Sequence, residues 1–356
     1  MPTVCDMVWS SERTSPAEVE AALRAMLVEG HSAHAACIPA RTLNLVCVVD
    51  AEAQEEIVAR LHGLGGYHAS RTIVCSVEPR RHDIGAVATL ASDTHPRPGE
   101  FAVLHETVLL RVGERHVPHL ESIVDPLVVA GLPTVIWSPH DHDEAVRALL
   151  GLGQVVLLDS VDDPSPSMAM RRARGWLQHA RVIDLAWLRT TPWRERLAAT
   201  FEPTPLRGDL DRISRVTVTH HADSAAAALL VIGWLATALG WRLRPLHRHQ
   251  RRWDGRAEAR QGEVRIVLEP APRQRVQGLA GMTLDLGSGG SLSLDRAPGG
   301  LRAHHHDRTG MARTWTLLGA SRGEAGILGD GIRQALLRDR IYDHALAAAS
   351  MLAGES

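Results

Sequence analysis

Two histidine-rich segments contain the side chains of this sequence that could bind a metal ion. The segment PHDHDE (139–144) follows a strand-like run, at the position where open α/β sheets usually bind ligands. Its possible ligands are His140, Asp141, His142 and Asp143. Acidic residues in the first turn of a helix explain the same segment without a metal. The second segment is His304 to His306, whose side chains would alternate between the two faces of a strand. We therefore predict no metal site at the triplet and keep metal binding at 139–144 as an alternative.

The sequence lacks the groups on which several reaction classes depend. All 39 basic residues counted as Lys+Arg are arginine, which excludes Schiff-base chemistry and a lysine general base. His105 and Glu106 resemble the start of a zinc-protease motif, but the required second histidine is replaced by Leu109. No glycine-rich nucleotide fingerprint follows a strand, and no nucleophile elbow occurs. The sequence predicts a protein that is not an enzyme and holds no cofactor.

A run of arginines in the second half of the chain could bind an anion. Seven arginines lie between residues 242 and 260, with Asp254 and Glu258 as the acidic residues among them. They could bind a phosphate or an acidic partner surface, and a solvated strand-and-loop face is the alternative. The net charge of −2 and the pI of 6.9 argue against nucleic acid and an anionic membrane as partners.

The segment DLAWLRTTPWRERL (184–197) combines two tryptophans with three arginines. Trp and Arg are the residues that most often anchor protein interfaces, through large rigid area and a planar fork of donors. Core filling by Trp187 and Trp193 is the alternative. Thr191 before Pro192 is typical of an N-cap followed by a proline in the first helical position. We therefore predict a helix that begins at Pro192 and a segment that recognises a partner.

The cysteines and the longest apolar run indicate a cytoplasmic protein. Four cysteines, Cys5, Cys37, Cys47 and Cys75, fall in the first quarter of the chain without C-x-x-C spacing, and no signal-peptide pattern precedes them. Cys47 and Cys75 lie in apolar runs and should be inert. The run from Ser224 to Trp241 approaches the length of a membrane span, but its Ala-rich composition favours a buried helix.

Hydrophobic patterns predict an α/β fold with a layered, mostly parallel sheet in an N-terminal domain, residues 1–163. A helix should begin at the capping box formed by Ser15 and Glu18 and end at Gly30. Apolar runs separated by helical segments follow it, and such runs are typical of a parallel sheet covered on both faces. The predicted strands lie at 43–50, 71–79, 101–112, 132–139 and 155–160.

A C-terminal domain, residues 164–356, is predicted to be α+β with an antiparallel sheet. It begins with a bridging helical segment at 164–203, in which the pattern is helical from Met168 to Phe201 except near Thr190 to Pro192. Several later segments alternate apolar and polar residues, as half-buried strands do. The GSGG sequence of 287–290 should form a hairpin turn, and a helix from about Glu324 to Leu352 should close the domain.

Several blocks of the sequence jointly resemble the glucose-6-phosphate dehydrogenase assembly protein family, OpcA. The resemblance runs from about residue 15 to about residue 345, and DLAWLRTTPWR is its most specific motif. The other blocks are RTLNLVCVVD (41–50), SRTIVCSVEP (70–79), HETVLL (105–110), HLESIVDPLVVAGLPTVIW (119–137), VVLLDS (155–160) and GWLATALGW (233–241). After the fourth strand the chain has WSPHDHD, which departs from the family pattern.

The resemblance implies a non-catalytic activator that binds glucose-6-phosphate dehydrogenase and favours its active oligomer. Such a protein would support NADPH production in the oxidative pentose phosphate pathway. The alternative is a sugar-phosphate-binding module or a metal-dependent enzyme that uses the 139–144 loop and the 242–260 arginines. The positions that match the family include Asn44, Glu106 and Pro192. The predicted partner-binding residues are Trp187, Arg189, Thr191, Trp193, Arg194, Arg41 and Arg71.

Overall fold

A computed structural model describes most of the chain. The described residues are 7–33, 37–39, 41–62, 70–92, 102–139, 142–307, 309–318, 323–335, 337 and 339–354. Contacts divide the chain into two compact units that interleave along the sequence. The first unit comprises Met1–Leu158, His179–Ile183 and Leu328–Leu337, and the second comprises Asp159–Gln178, Asp184–Ile327 and Arg338–Ser356. The sequence-based boundary between residues 163 and 164 stays a prediction.

A nine-stranded sheet forms the centre of the first unit. Its strands are β1 (Met7–Ser11), β2 (Cys37–Pro39), β3 (Leu43–Asp50), β4 (Ser70–Val77), β5 (Gly85–Ser92), β6 (Ala102–Val112), β7 (Thr134–Trp137), β8 (Val155–Leu158) and β9 (Arg181–Asp184). The order is β1-β5-β6-β4-β3-β7-β8-β9, with β2 beside β6. Strands β6, β4, β3, β7 and β8 run parallel, while β5 runs antiparallel to its two neighbours, β6 and β1. The mostly parallel sheet is confirmed.

Four α-helices lie in the described part of residues 16–149. They are α1 (Pro16–Ala33), α2 (Gln54–His62), α3 (Leu120–Val124) and α4 (Asp143–Leu149). The capping box is confirmed, because the Ser15 amide donates to Glu18 Oε2 at 2.8 Å and the Glu18 amide donates to Ser15 Oγ at 3.3 Å. The predicted end at Gly30 is wrong. Gly30 is buried near Met7, and this packing lets the helix continue to Ala33.

The second unit contains an eight-stranded sheet and most of the remaining helices. Its strands are β10 (Arg215–His220), β11 (His247–His249), β12 (Arg252–Ala259), β13 (Gly262–Pro270), β14 (Leu279–Asp285), β15 (Ser291–Ala297), β16 (Gly300–His306) and β17 (Ala312–Leu318). The order is β11-β12-β13-β10-β14-β15-β16-β17. The β10–β13 pair is parallel and the other pairs are antiparallel, which confirms the antiparallel sheet. The GSGG sequence joins β14 to β15 as predicted.

The remaining helices differ from the predicted pattern at two places. They are α5 (Pro166–Leu177), α6 (Leu185–Leu188), α7 (Thr191–Phe201), α8 (Thr204–Leu210), α9 (Ala225–Leu239), α10 (Gly323–Gln334) and α11 (Arg340–Leu352). A helical pattern over 168–201 is wrong, because β9 interrupts it with the buried, β-branched Val182 and Ile183. One closing helix over 324–352 is also wrong. Asp339 starts a new helix by accepting hydrogen bonds from the amides of Ile341 and Tyr342.

The apolar run at 224–241 forms α9, a helix buried in the second unit against α11, β10 and β13. Among the described helices, none is long and apolar enough to cross a membrane. A Cβ atom at Gly233 would lie 2.3 Å from the Ala345 carbonyl oxygen and 2.9 Å from the Ala349 amide nitrogen. The absence of a side chain at Gly233 therefore sets how closely the α9 and α11 backbones approach.

We expect Gly233→Ala to lower the free energy of unfolding by about 1–3 kcal/mol, because the added methyl group would meet backbone that has no rotamer to change. Chemical denaturation of the purified variants measures this effect. Gly175→Ala in α5 is the matched control, since no atom lies within 4 Å of its added Cβ and alanine favours a helix. Equal stability of the two variants would contradict the close α9–α11 packing.

Candidate partner-binding site

The segment 184–197 begins at a buried carboxylate. Asp184 is the last residue of β9 and caps α6, with Oδ1 accepting from the Ala186 amide at 2.9 Å and from the Ser160 amide at 3.1 Å. Oδ2 accepts from Ser160 Oγ at 2.5 Å and from the Tyr342 hydroxyl at 3.3 Å. These four donors fix the start of the segment to α11 and to the residues after β8.

Burial, and after it the nearby Asp159 carboxylate, raises the pKa of Asp184 to about 6. The Ser160 and Ala186 hydrogen bonds act in the opposite direction. Burial, together with the adjacent Asp184 carboxylate, also raises the pKa of the Tyr342 hydroxyl. Asp184 therefore gains or loses a proton near neutral pH while it holds a structural position.

Arg189 neutralises the second carboxylate of this region. Its Nη1 and Nη2 atoms lie 2.8 and 2.7 Å from the two Asp159 carboxylate oxygens, and Nε and Nη2 also reach Glu324 at 3.2 and 2.5 Å. Burial alone would lower the pKa of Arg189, but the two carboxylates outweigh it and raise the pKa. Removal of one partner from such a pair leaves an uncompensated buried charge, so Arg189 has a structural role.

Trp187 is held by a hydrogen bond and by a contact with another aromatic ring. Its Nε1 atom donates to Asp339 Oδ2 at 2.8 Å, and the ring lies 5.8 Å from the Tyr342 ring, centroid to centroid. Asp339 is also the N-cap of α11, so one carboxylate both starts a helix and orients the tryptophan. Trp187 is 2% exposed.

The guanidinium of Arg194 lies over the Trp187 ring. Its Cζ atom is 3.5 Å from the centroid of a Trp187 ring, which is a cation–π contact. Nε donates to Thr190 Oγ1 at 3.0 Å, and Nη2 donates to Thr191 Oγ1 at 2.9 Å. Burial lowers the pKa of Arg194 to about 10, although Asp339 and Glu195 oppose this effect.

The start of α7 corrects the predicted N-cap. The helix begins at Thr191, with Pro192 second, and Thr190 occupies the N-cap position without capping the helix through its side chain. The Thr190 hydroxyl instead donates to the Trp187 carbonyl oxygen at 2.7 Å. Thr191 accepts from Arg194, so both threonines serve the Trp187–Arg194 contact.

The predicted partner-binding residues of this segment differ in the surface that they offer. Trp193 is 2% exposed and belongs to the apolar face of α7, and Arg189 is 6% exposed. Thr191 and Arg194 are partly exposed. In this conformation Trp187, Arg189 and Trp193 can affect a partner only by positioning other residues, whereas Thr191 and Arg194 can touch one. Their partner-binding role stays a prediction.

The predicted residues of the first unit form a separate ion cluster. Arg71 Nε lies 2.6 Å from Glu106 Oε2, and Arg41 Nε lies 2.7 Å from Glu106 Oε1. Arg71 is buried and also donates to the Leu127 carbonyl oxygen at 2.9 Å, while the Arg41 side chain is 24% exposed. Asn44, opposite Arg71 in the sheet, exchanges hydrogen bonds with the Val129 backbone. The cluster thus ties residues 127–129 to the sheet.

The histidine-rich segments show no assembled metal site in the part of the chain that the structure describes. No group of three or more His, Cys, Asp or Glu side chains is placed there to hold an ion. His140 and Asp141 lie outside the described residues. His142 Nε2 lies 3.3 Å from Asp50 Oδ1, and Asp143 begins α4. In β16 His305 is buried while His306 is exposed, as the strand alternation predicts.

The arginine-rich stretch is divided between ion pairs and a cavity. Arg244 pairs with Glu258, and Arg256 Nη1 lies 2.7 Å from Glu263 Oε2. Arg248 and Arg251 line a cavity of about 340 Å³ in the second unit. The cavity residues are Val161, Asp163, Pro164, Pro166, Ala222, Asp223, Ala225, Arg248, Arg251 and Trp253.

The cysteines that the structure describes are not reactive. Cys47 and Cys75 are free and fully buried, and burial raises the pKa of both thiols, that of Cys75 to about 12. Cys5 lies outside the described residues, as does the side chain of Cys37.

Asp184→Asn should remove a specific part of the pH dependence of stability. Because the pKa of Asp184 is raised from 3.8 to about 6, the folded state binds its proton more tightly, and this stabilisation is lost as pH rises through 6. Between pH 5 and pH 7 the free energy of unfolding of the wild type should therefore fall by about 1 kcal/mol more than that of Asp184→Asn. Urea unfolding at several pH values measures the difference, and Glu195→Gln controls for the loss of one carboxylate. Parallel curves for wild type and Asp184→Asn would refute the raised pKa.

Two family models match successive parts of the chain. Residues 62–174 match the N-terminal domain of the glucose-6-phosphate dehydrogenase subunit, and residues 180–346 match its C-terminal domain. The chain is 27% identical over 140 residues to the OxPP cycle protein OpcA of Synechococcus elongatus, which covers 38% of this chain and 32% of that protein. It is 28% identical over 124 residues to the same-named protein of Nostoc punctiforme, and this match covers 34% of this chain and 27% of that protein. The matched stretch thus spans about a third of these relatives.

Among solved structures, an oxidoreductase domain protein from Kribbella flavida gives a TM-score of 0.48 at 15% identity, covering 89% of this chain and 96% of that chain. The two domain models occur in the order expected for the family and together span most of the sequence, with the 184–197 segment inside the second. The chain belongs to the OpcA family of glucose-6-phosphate dehydrogenase subunits.

Proposed function

We propose that the protein is a non-catalytic assembly factor that binds glucose-6-phosphate dehydrogenase and favours its active oligomer. The observation that carries this proposal is the match of both family models, because each describes a domain of a glucose-6-phosphate dehydrogenase subunit. The process served is the oxidative pentose phosphate pathway, in which the dehydrogenase produces NADPH, and the setting is the cytoplasm.

The chemistry of the second unit supports a binding role. Asp184 and Arg189 are the titratable groups of the family-specific segment that are most deeply buried, and both are occupied by intramolecular partners. Residues that must release and accept protons or attack a substrate need free access to it. Here Asp184 and Arg189 instead hold α6, α7 and α11 in place. The helices thereby form a rigid surface for recognition.

The mechanism of activation is differential affinity. A binder shifts an equilibrium between conformations or oligomers only by the difference between its affinities for the two states. We infer that the protein binds the active dehydrogenase oligomer more tightly than the inactive form. Thr191 and Arg194 of the segment can contact the partner directly, and Arg41 offers some surface in the first unit.

Trp187, Arg189, Trp193 and Arg71 act in this proposal through position. Trp187 orients Arg194 by the cation–π contact. Arg189, between α6 and α7, binds the Asp159 carboxylate and so holds this corner in place. Truncation of Trp187 or Trp193 would remove a buried ring and cost about 3–5 kcal/mol of stability. Loss of binding in such variants is therefore informative only when the variant remains folded.

Sedimentation velocity and activity assays on the mixed, purified proteins test the assembly role. We expect addition of the protein to shift the dehydrogenase to a heavier species and to raise its specific activity with the same half-saturation point. The protein alone should neither oxidise glucose 6-phosphate nor reduce NADP⁺. Unchanged sedimentation and activity at every protein ratio would refute the proposal, and turnover by the protein alone would refute its non-catalytic character.

A second candidate function is the binding of a sugar phosphate in the cavity near α9. Arg248 and Arg251 line that cavity and could hold a phosphate group, while Asp163 and Asp223 could accept hydrogen bonds from hydroxyl groups. Trp253 supplies a buried aromatic wall. Sugar-phosphate binding would use the arginine-rich stretch and would require no partner protein.

Calorimetry with glucose 6-phosphate distinguishes the two candidates. The assembly role predicts no heat of binding to the protein alone, because the partner surface and not a metabolite is recognised. Saturable binding that Arg251→Gln abolishes and Arg207→Gln preserves would favour the second candidate. Arg207 is a suitable control because it is exposed on α8 and does not line the cavity.

A further inference from the structure

Arg194 is a partly buried cation that the fold holds in one position. The Trp187 ring lies under its guanidinium, and hydroxyl oxygens of Thr190 and Thr191 accept from two of its nitrogens. A guanidinium fixed by a ring and two hydroxyls loses little conformational entropy when it binds something else. Arg194 is therefore preorganised.

The charge of Arg194 is not balanced in the way that the charges of Arg189, Arg71 and Arg41 are. Arg189 contacts two carboxylates, and Arg71 and Arg41 share Glu106. Of the carboxylates that the structure describes, none lies within 4.0 Å of an Arg194 nitrogen. Asp339 is nearby but accepts from Trp187, Ile341 and Tyr342. Burial of a charge without a counterion is unfavourable, and burial accordingly lowers the pKa of Arg194.

One end of the guanidinium remains open. Nε and Nη2 donate to the threonine hydroxyls, whereas Nη1 has no hydrogen bond to a described residue. Nη1 is also absent from the fully enclosed side-chain atoms that lack a hydrogen bond, so it is not fully enclosed. Nη1 and the second N–H group of Nη2 therefore have no acceptor among the described residues. A carboxylate accepts from such a pair through both of its oxygens.

The surroundings favour a protein as the source of that carboxylate. Ile341 is 54% exposed, and its amide donates to the same Asp339 carboxylate that orients Trp187. Ile341 is thus connected to Arg194 through Asp339 and Trp187. Apolar contact around a charge-assisted hydrogen bond is typical of the centre of protein interfaces. A small free anion would leave Ile341 without a role.

We propose that Arg194 is the docking point for an Asp or Glu side chain on the surface of the partner protein, with Ile341 as the adjoining apolar contact. The proposal rests on the proposed function, because the dehydrogenase is taken as that partner. The partner's carboxylate oxygens accept from Nη1 and Nη2 of Arg194 and supply the negative charge that the fold leaves out. No bond is made or broken and no proton moves.

Binding measurements on matched variants give the first test. We expect Arg194→Gln to weaken the dehydrogenase complex by about 30-fold in Kd, because a charge-assisted pair at an interface centre is lost. Arg207→Gln removes the same charge from α8 and should bind like wild type. Unfolding curves of both variants identify any loss of folding, and Arg194→Lys, which keeps the charge, should bind with an intermediate Kd.

The chain contains no lysine, so an introduced lysine carries the only side-chain amine. This permits a second test, by cross-linking instead of by affinity. In Arg194→Lys, carbodiimide treatment of the complex should join the introduced amine to a dehydrogenase carboxylate as an amide, with loss of water. Peptide mass spectrometry identifies the joined residues. Arg207→Lys, with its amine on α8, should give no cross-link at position 207.

The outcomes separate the inference from the function on which it rests. If wild-type protein does not bind the dehydrogenase at all, the assembly role fails and the proposal fails with it. If wild type binds, Arg194→Gln binds equally well and Arg194→Lys gives no intermolecular cross-link at position 194, the docking proposal alone is overturned. Weaker binding by folded Arg194→Gln together with a specific cross-link supports it.

Discussion

The neutralisation of buried charge after β8 and β9 is the constraint on which the second unit depends. Asp159 follows β8, and Asp184 ends the neighbouring strand β9, where the chain leaves the sheet. Asp159 is neutralised by Arg189, and Asp184 is solvated by hydroxyl and amide donors. Buried ionised groups are costly unless they are paired in this way. Each of these contacts also fixes a helix, so the position of the family-specific segment follows from them.

The same contacts explain how a tryptophan-rich segment can serve recognition while its tryptophans are buried. Asp184 and Asp339 hold α6 and α11, and the Trp187 ring contacts both Tyr342 and Arg194. The tryptophan ring provides the platform, and the arginine provides the accessible charge. A partner would then meet a rigid polar group backed by an aromatic ring, which reduces the entropy cost of association.

Much of the fold follows from local sequence, whereas the site does not. Strand β3 coincides with the apolar run 43–50, and the capping box starts α1 as predicted, because both signals act over a few residues. The strand β9 and the break between α10 and α11 were not predictable from a helical pattern, since tertiary contacts decide them. The ion cluster of Arg41, Arg71 and Glu106 joins residues far apart in sequence, and only the strand register brings them together.

In the proposed function the protein binds the dehydrogenase through a surface that the segment 184–197 supports. A structure of the two proteins in complex would show this surface. We expect a dehydrogenase carboxylate about 2.7–2.9 Å from the Arg194 guanidinium, with Trp187 and Trp193 still buried within this chain. A complex in which Arg194 faces solvent and the dehydrogenase contacts neither α7 nor the start of α11 would contradict it.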